Sequence, residues 1–216
     1  MSYKTIKVEA NGEYEEKKSL FIGSVKRVST EEDAKEFINQ VKAKHKEARH
    51  NVYAYVIGSN KGIQRYSDDG EPQGTGGIPV LEVIKKNDIS DTVLVVTRYF
   101  GGILLGGAGL VRAYGKAASL AVKNGGVVEK VEGLEVKITV EYDFLGKLQY
   151  LFNQKQWVIE NIEYTDKVVI STYCELNNAE VINKALTELT SNRFSMIKCN
   201  EGLYFKEENR LLPITD

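Results

Sequence analysis

The chain is poor in the residues that mark many enzymes and metalloproteins. Its 216 residues include only two cysteines, two histidines, three prolines and one tryptophan. Cys174 and Cys199 are far apart and make no metal-type spacing, so a reducing compartment is expected. His45 and His50 are five apart, a separation that does not place two ligands side by side on a helix. No Ser-His-Asp or Cys-His set is defined, because nothing in the spacing picks out the partners of either histidine. A net excess of charge of either sign is also missing. A formal net charge of −1 gives no global pull toward nucleic acid or an anionic membrane, so any such binding must come from a local patch. No apolar run approaches the roughly 20 residues that span a bilayer. The opening MSYKTIKVEA lacks the apolar core of a secretory leader, so a cytoplasmic protein without a membrane partner is expected. Repeats of solenoid length are absent.

What is present reads as α+β. Hydrophobic residues at 42% and charged residues at 27% are ordinary for a globular chain long enough for one large or two small domains. In the first half, KSLFIGSV (18–25) and NVYAYVIG (51–58) read as strands. Between them, 29–48 reads as a helix, with Ser29 and Glu32 at capping-box spacing and an apolar stripe at Ala34, Phe37, Ile38 and Val41. A short helix is expected over 78–87, with Pro79 in its first turn. DTVLVVTRYF (91–100) reads as a strand buried on both sides. A helix rich in small residues follows over 108–124, stopped by Asn124-Gly125-Gly126.

The second half alternates strand, helix, strand, strand, helix, strand. The strands are 134–142, 157–165, 167–176 and 194–205. The helices are 143–156, opened by Asp143, and 177–192, with an asparagine cap. That order is the split βαβ of the ferredoxin-like class. The expected division is an N-terminal domain over 1–128, a C-terminal domain over 133–208 and a loosely held tail at 209–216.

Three stretches carry candidate chemistry. TRYFGGILLGGAGLVRAYG (97–115) places Gly101, Gly102, Gly106, Gly107 and Gly109 between a strand and a helix. Such a loop can present bare amides at a helix N-terminus to an anion. Arg112 and Lys116 lie one helical turn apart, and Arg98 precedes the loop, so the three cations are expected to converge. The loop is neither a Walker loop nor a dinucleotide fingerprint, and the same glycines also serve tight turns and close packing. SDDGEPQGTGG (67–77) offers Asp68, Asp69 and Glu71, which can hold Mg²⁺, pair with arginines or cap turn amides. KAKHKEARH (42–50) ends a helix in basic residues, as the macrodipole prefers. Arg49 and His50 stand apart from it, where the next strand begins and a neighbouring loop comes within reach.

In ARHNVYAY (48–55), SDDGEPQGTGGIP (67–79) and TRYFGGILLGGAGLVRAYG (97–115), taken in that order, the chain resembles the YigZ/IMPACT family. Departures are small: Val52 stands where many relatives have cysteine, Gly76 where alanine is common, and Leu104-Leu105 where Lys-Leu is frequent. The resemblance implies an N-terminal fold like domain 2 of a small-subunit ribosomal protein, with a left-handed βαβ crossover. It also implies a C-terminal domain similar to domain V of elongation factor G. Eukaryotic IMPACT regulates translation initiation through protein contacts. The function expected is therefore a cytosolic, non-catalytic protein of translation regulation. It would contact RNA, the ribosome or a ribosome-associated protein through the glycine loop with Arg49, His50, Arg98, Arg112 and Lys116, and would need no cofactor. The alternative is a metal-dependent phosphoester hydrolase or phosphotransferase that uses Mg²⁺ on the acidic loop.

Overall fold

A computed structural model describes residues 2–214 and is α+β, with two compact units: residues 3–128, and Ser2 with residues 129–214. The first unit contains β1 (Ser2–Ile6, but for its first residue), β2 (Ala10–Glu16), β3 (Ser19–Arg27), α1 (Glu31–Lys44), β4 (His50–Ile57), β5 (Ile63–Ser67), α2 (Gly77–Lys86), β6 (Thr92–Tyr99) and α3 (Gly107–Gly125). Its five-stranded sheet runs β2-β3-β6-β4-β5, with every neighbouring pair antiparallel. β3 and β4 flank β6, so α1 crosses over β6 to connect them.

The uninterrupted apolar run of β6 follows from this layering. Val93 and Val95 pack with Phe37, Ile38 and Val41 of α1, whereas Leu94 and Val96 pack with α2 and α3. An antiparallel sheet usually leaves one face wet, but here helices cover both faces of the central strand. The small residues of α3 serve close approach. A Cβ on Gly23 would lie 2.5 Å from the Ala117 carbonyl oxygen, and one on Gly12 2.6 Å from the Ala121 amide nitrogen. The helix backbone therefore rests almost directly on β2 and β3.

Helix starts differ in detail from the sequence expectation. The capping box of α1 is Thr30 with Asp33, not Ser29 with Glu32: each side chain accepts the other's backbone N–H at 3.1 Å. Three strands of this unit, β1, β2 and β5, were not expected. β2 has only one buried position, and Gly12 occupies it, so the alternation carries no hydrophobic signal.

The second unit takes β7 (Val127–Val140), which begins in the first unit, then a 3₁₀ turn (Tyr142–Phe144), α4 (Leu145–Lys155), β8 (Asn161–Tyr164), β9 (Val168–Glu175), α5 (Asn178–Thr190), β10 (Phe194–Glu207) and β11 (Arg210–Pro213). Its sheet order, β11-β10-β7-β9-β8, contains the antiparallel ferredoxin-like arrangement β10-β7-β9-β8. Leu148 and Phe152 of α4 and Ile182 and Leu186 of α5 close the core over Val136, Ile138 and Ile170. The N-cap position of α5 is Asn177, but its side chain makes no capping bond. The loosely held tail is corrected as well. Residues 210–213 form β11 on the edge of β10, with Leu211 buried against Val131 and Tyr204.

Candidate functional site

The glycine loop follows directly from β6. Gly101 passes so close to the β2–β3 turn that an added Cβ would lie 2.1 Å from the Lys18 carbonyl carbon, and its amide donates to Ser19 Oγ at 3.1 Å. Gly102 and Gly106 have φ of +82° and +72°, a region that favours glycine. Part of the glycine content therefore answers to the chain's own path. Gly107 and Gly109 form the first turn of α3, whose N-cap Gly106 contributes no side-chain bond. Beside that turn lies a cavity of about 140 Å³ lined by Tyr14, Glu16, Lys17, Leu105, Gly109 and Arg112.

Arg98 does not join Arg112 and Lys116. The two-residue period of β6 points it to the same side as Leu94 and Val96, and its side chain is only 7% exposed. Its Nη1 donates to Glu71 Oε1 at 2.7 Å, and the Tyr114 hydroxyl donates to the same oxygen at 2.6 Å. The guanidinium sits 5.5 Å from the Phe21 ring centre and 5.4 Å from that of Phe100. Its Nε has no hydrogen-bond partner among the described residues. Burial and the Glu71 carboxylate push the Tyr114 phenol pKa far upward, so it stays a donor. The expected convergence of three cations is thus reduced to Arg112 and Lys116, both exposed on α3.

The acidic loop is occupied internally. Asp68 accepts from the backbone amides of Gly74, Gly76 and Gly77 at 2.8–3.0 Å and so caps α2 from a distance. Burial raises its pKa, but the three amides outweigh that and hold the carboxyl below the ordinary value. Asp69 pairs with Lys42 at 2.8 Å and accepts the Asn51 amide at 2.7 Å. The Asp69 carbonyl lies 2.9 Å from His50 Nδ1, which ties that histidine to the loop. Arg49, next to it, is exposed. Each of the three carboxylates is thus engaged by donors of its own within the protein. No cluster of three metal-ligating side chains occurs among the described residues.

Two cations near the glycine loop escaped sequence reading. Lys17 and Lys18 form the β2–β3 turn, with φ of 47° and 65°, directly beneath Gly101. Their only signal was a Lys-Lys pair, and β2 itself gave no strand pattern. The same loop exposes Phe100, Ile103 and Leu104, the last at 83%.

The chain matches the Impact N-terminal domain over residues 17–122 and a domain of unknown function, DUF1949, over residues 138–193. It is 44% identical to the IMPACT family member YvyE of Bacillus subtilis over 206 residues, covering 95% of this chain and 94% of the relative. Identity to the IMPACT family member YigZ of Escherichia coli is 37% over 71% of this chain and 76% of that one. A solved structure of a hypothetical protein, 30% identical, superposes with a TM-score of 0.59 over 93% of this chain and 98% of that chain. No helix among the described residues is long and apolar enough to cross a membrane. With both domains matched in order and a relative this similar along nearly its whole length, the chain belongs to the IMPACT family.

Proposed function

We propose that this is a non-catalytic binding protein of translation regulation, and that it contacts RNA phosphates through the first turn of α3 with Lys17, Arg112 and Lys116. The observation that carries the reading is the start of α3, which has no side-chain cap, with Gly109 presenting bare backbone beside Lys17 and Arg112 at a concave surface where Glu16 is the one acid. Helix N-terminal amides, the dipole and two nearby cations all favour negative charge. The family resemblance supports the link to translation, and the exposed Phe100, Ile103 and Leu104 offer apolar contact next to the cations. Arg98, His50 and the three acids support the surface from within rather than touching the guest.

The test is RNA binding as a function of salt. Each phosphate neutralised on a single strand contributes about 0.7 to the slope of log affinity against log salt. Replacing Lys17, Arg112 and Lys116 together by alanine is expected to flatten the slope by about two and to weaken binding uniformly across sequences. Unchanged affinity and slope in that variant would remove this surface. Retention of a protein partner after nuclease treatment, lost in the same variant, would assign the surface to protein instead.

A further inference from the structure

A second concavity lies wholly within the C-terminal unit and shares no residue with the proposed RNA surface. It has a volume of about 210 Å³ and opens where the end of α4, the end of β9 and the start of α5 meet β10 and β11. Trp157, the only tryptophan of the chain, lines it half-buried, held edge-on against Phe152 with ring centres 5.4 Å apart. Lys155 stands at the exposed rim, with no hydrogen bond or ion pair among the described residues. Lys206 and Glu175 also line the cavity and neutralise each other at 2.7 Å. Cys174 is buried at its wall, and burial pushes its thiol up to about 11, so it adds no negative charge at neutral pH. Asn178 opens α5 at the cavity, and the preceding Asn177 makes no side-chain cap. The cavity therefore has an indole wall, one uncompensated cation and the positive end of a helix dipole.

We propose that this cavity binds a small organic monoanion with an apolar ring, the ring against Trp157 and the anionic group toward Lys155 and the start of α5. Size agrees with the chemistry. A cavity of about 150 Å³ holds a benzene ring, so this one has room for a ring and one head group. The net charge of the lining selects against cations, and an indole in an otherwise largely polar wall gives one place for a flat apolar body that an inorganic anion would not use.

The experiment uses the full chain and Trp157 emission, excited at the red edge of indole absorption, with calorimetry as a second readout. 3-Phenylpropionate and phenylmethanesulfonate, both monoanions, are titrated against the neutral 3-phenylpropanamide and the cationic 3-phenylpropylamine. The two anions are expected to bind with the amide and amine much weaker, and their relative affinity identifies the preferred head group. Lys155→Gln should weaken the anions about two- to fivefold, as loss of one exposed charge contact does. Asn178→Asp puts a repelling carboxylate at the mouth while favouring the helix start, so it should lower affinity at least as much with a thermal midpoint no lower than that of the parent. Equal binding of the neutral or cationic analogue, absence of binding by both anions, or full affinity in the two variants would overturn the proposal. None of these outcomes bears on the RNA surface of the other unit.

Discussion

The buried pair of Arg98 and Glu71 makes the sharpest energetic statement in the molecule. Both side chains are nearly dry, at 7% and 4% exposure, and one carboxylate oxygen accepts from both Arg98 and Tyr114. Replacing Glu71 by Gln keeps the shape but leaves the guanidinium uncompensated, so the expected loss is about 3–5 kcal/mol. At roughly 2–8 °C per kcal/mol, the thermal midpoint of the N-terminal unit should fall by at least about 6 °C. Tyr114→Phe removes only one hydrogen bond to a charged group and should cost about 1.5–3 kcal/mol. The assay is urea unfolding followed by far-ultraviolet circular dichroism. Trp157 emission reports separately on the other unit. A cycle with Glu71→Gln and Arg98→Met gives the coupling, and the exposed pair of Lys198 and Glu180, at 48% and 74% exposure, serves as control. Exposed pairs couple by about 0.2–1 kcal/mol. A Glu71–Arg98 coupling within that range would refute the claim that the pair is desolvated.

Three further outcomes are expected. Asp68→Ala should destabilise by about 1–2 kcal/mol, the usual loss of a helix cap. Because the folded-state pKa of Asp68 is depressed, its contribution is full above the unfolded carboxylate value and fades as pH falls through the folded one; Asp68→Asn should flatten the acid limb of a midpoint-against-pH curve. Gly101→Ala drives a methyl into the Lys18 backbone and should cost about 1–3 kcal/mol or more, whereas Gly115→Ala enters open space within a helix and should gain about 0.5–1 kcal/mol; denaturant midpoints read both. Cys199 is half-exposed and Cys174 is 6% exposed with its thiol held near 11, so a chromogenic thiol reagent at mildly alkaline pH should label Cys199 first; equal rates would contradict the burial of Cys174.

Much of the fold was legible because periodicity survives in elements with one dry face. The stripe of α1 and the strand–helix rhythm of the second half belong to this kind. β2 was illegible: its single buried position is a glycine placed there for the backbone of α3, a reason that lies more than a hundred residues along the chain. The tail was misjudged because four residues make an edge strand only when β10 is there to receive them. At the site, the sequence marked the glycine loop and the acids but not their allocation. Arg98 lies two residues beyond the Val93–Val96 run, apolar on both faces, and at the same parity as Leu94 and Val96, which is a sign of inward burial, yet its partner Glu71 comes from a loop with no periodicity. Lys17 and Lys18 came into view only once the turn beneath Gly101 was built.

The short last strand covers an edge that would otherwise stand open. β11 takes up the outer hydrogen-bonding row of β10 from Tyr204 to Glu207, and its own far margin ends in Pro213, which has no N–H to offer. A chain stopped after Glu208 would uncover that row together with the apolar surface under Leu211. It should then stick to its own kind, strand margin to strand margin, long before its core loosened.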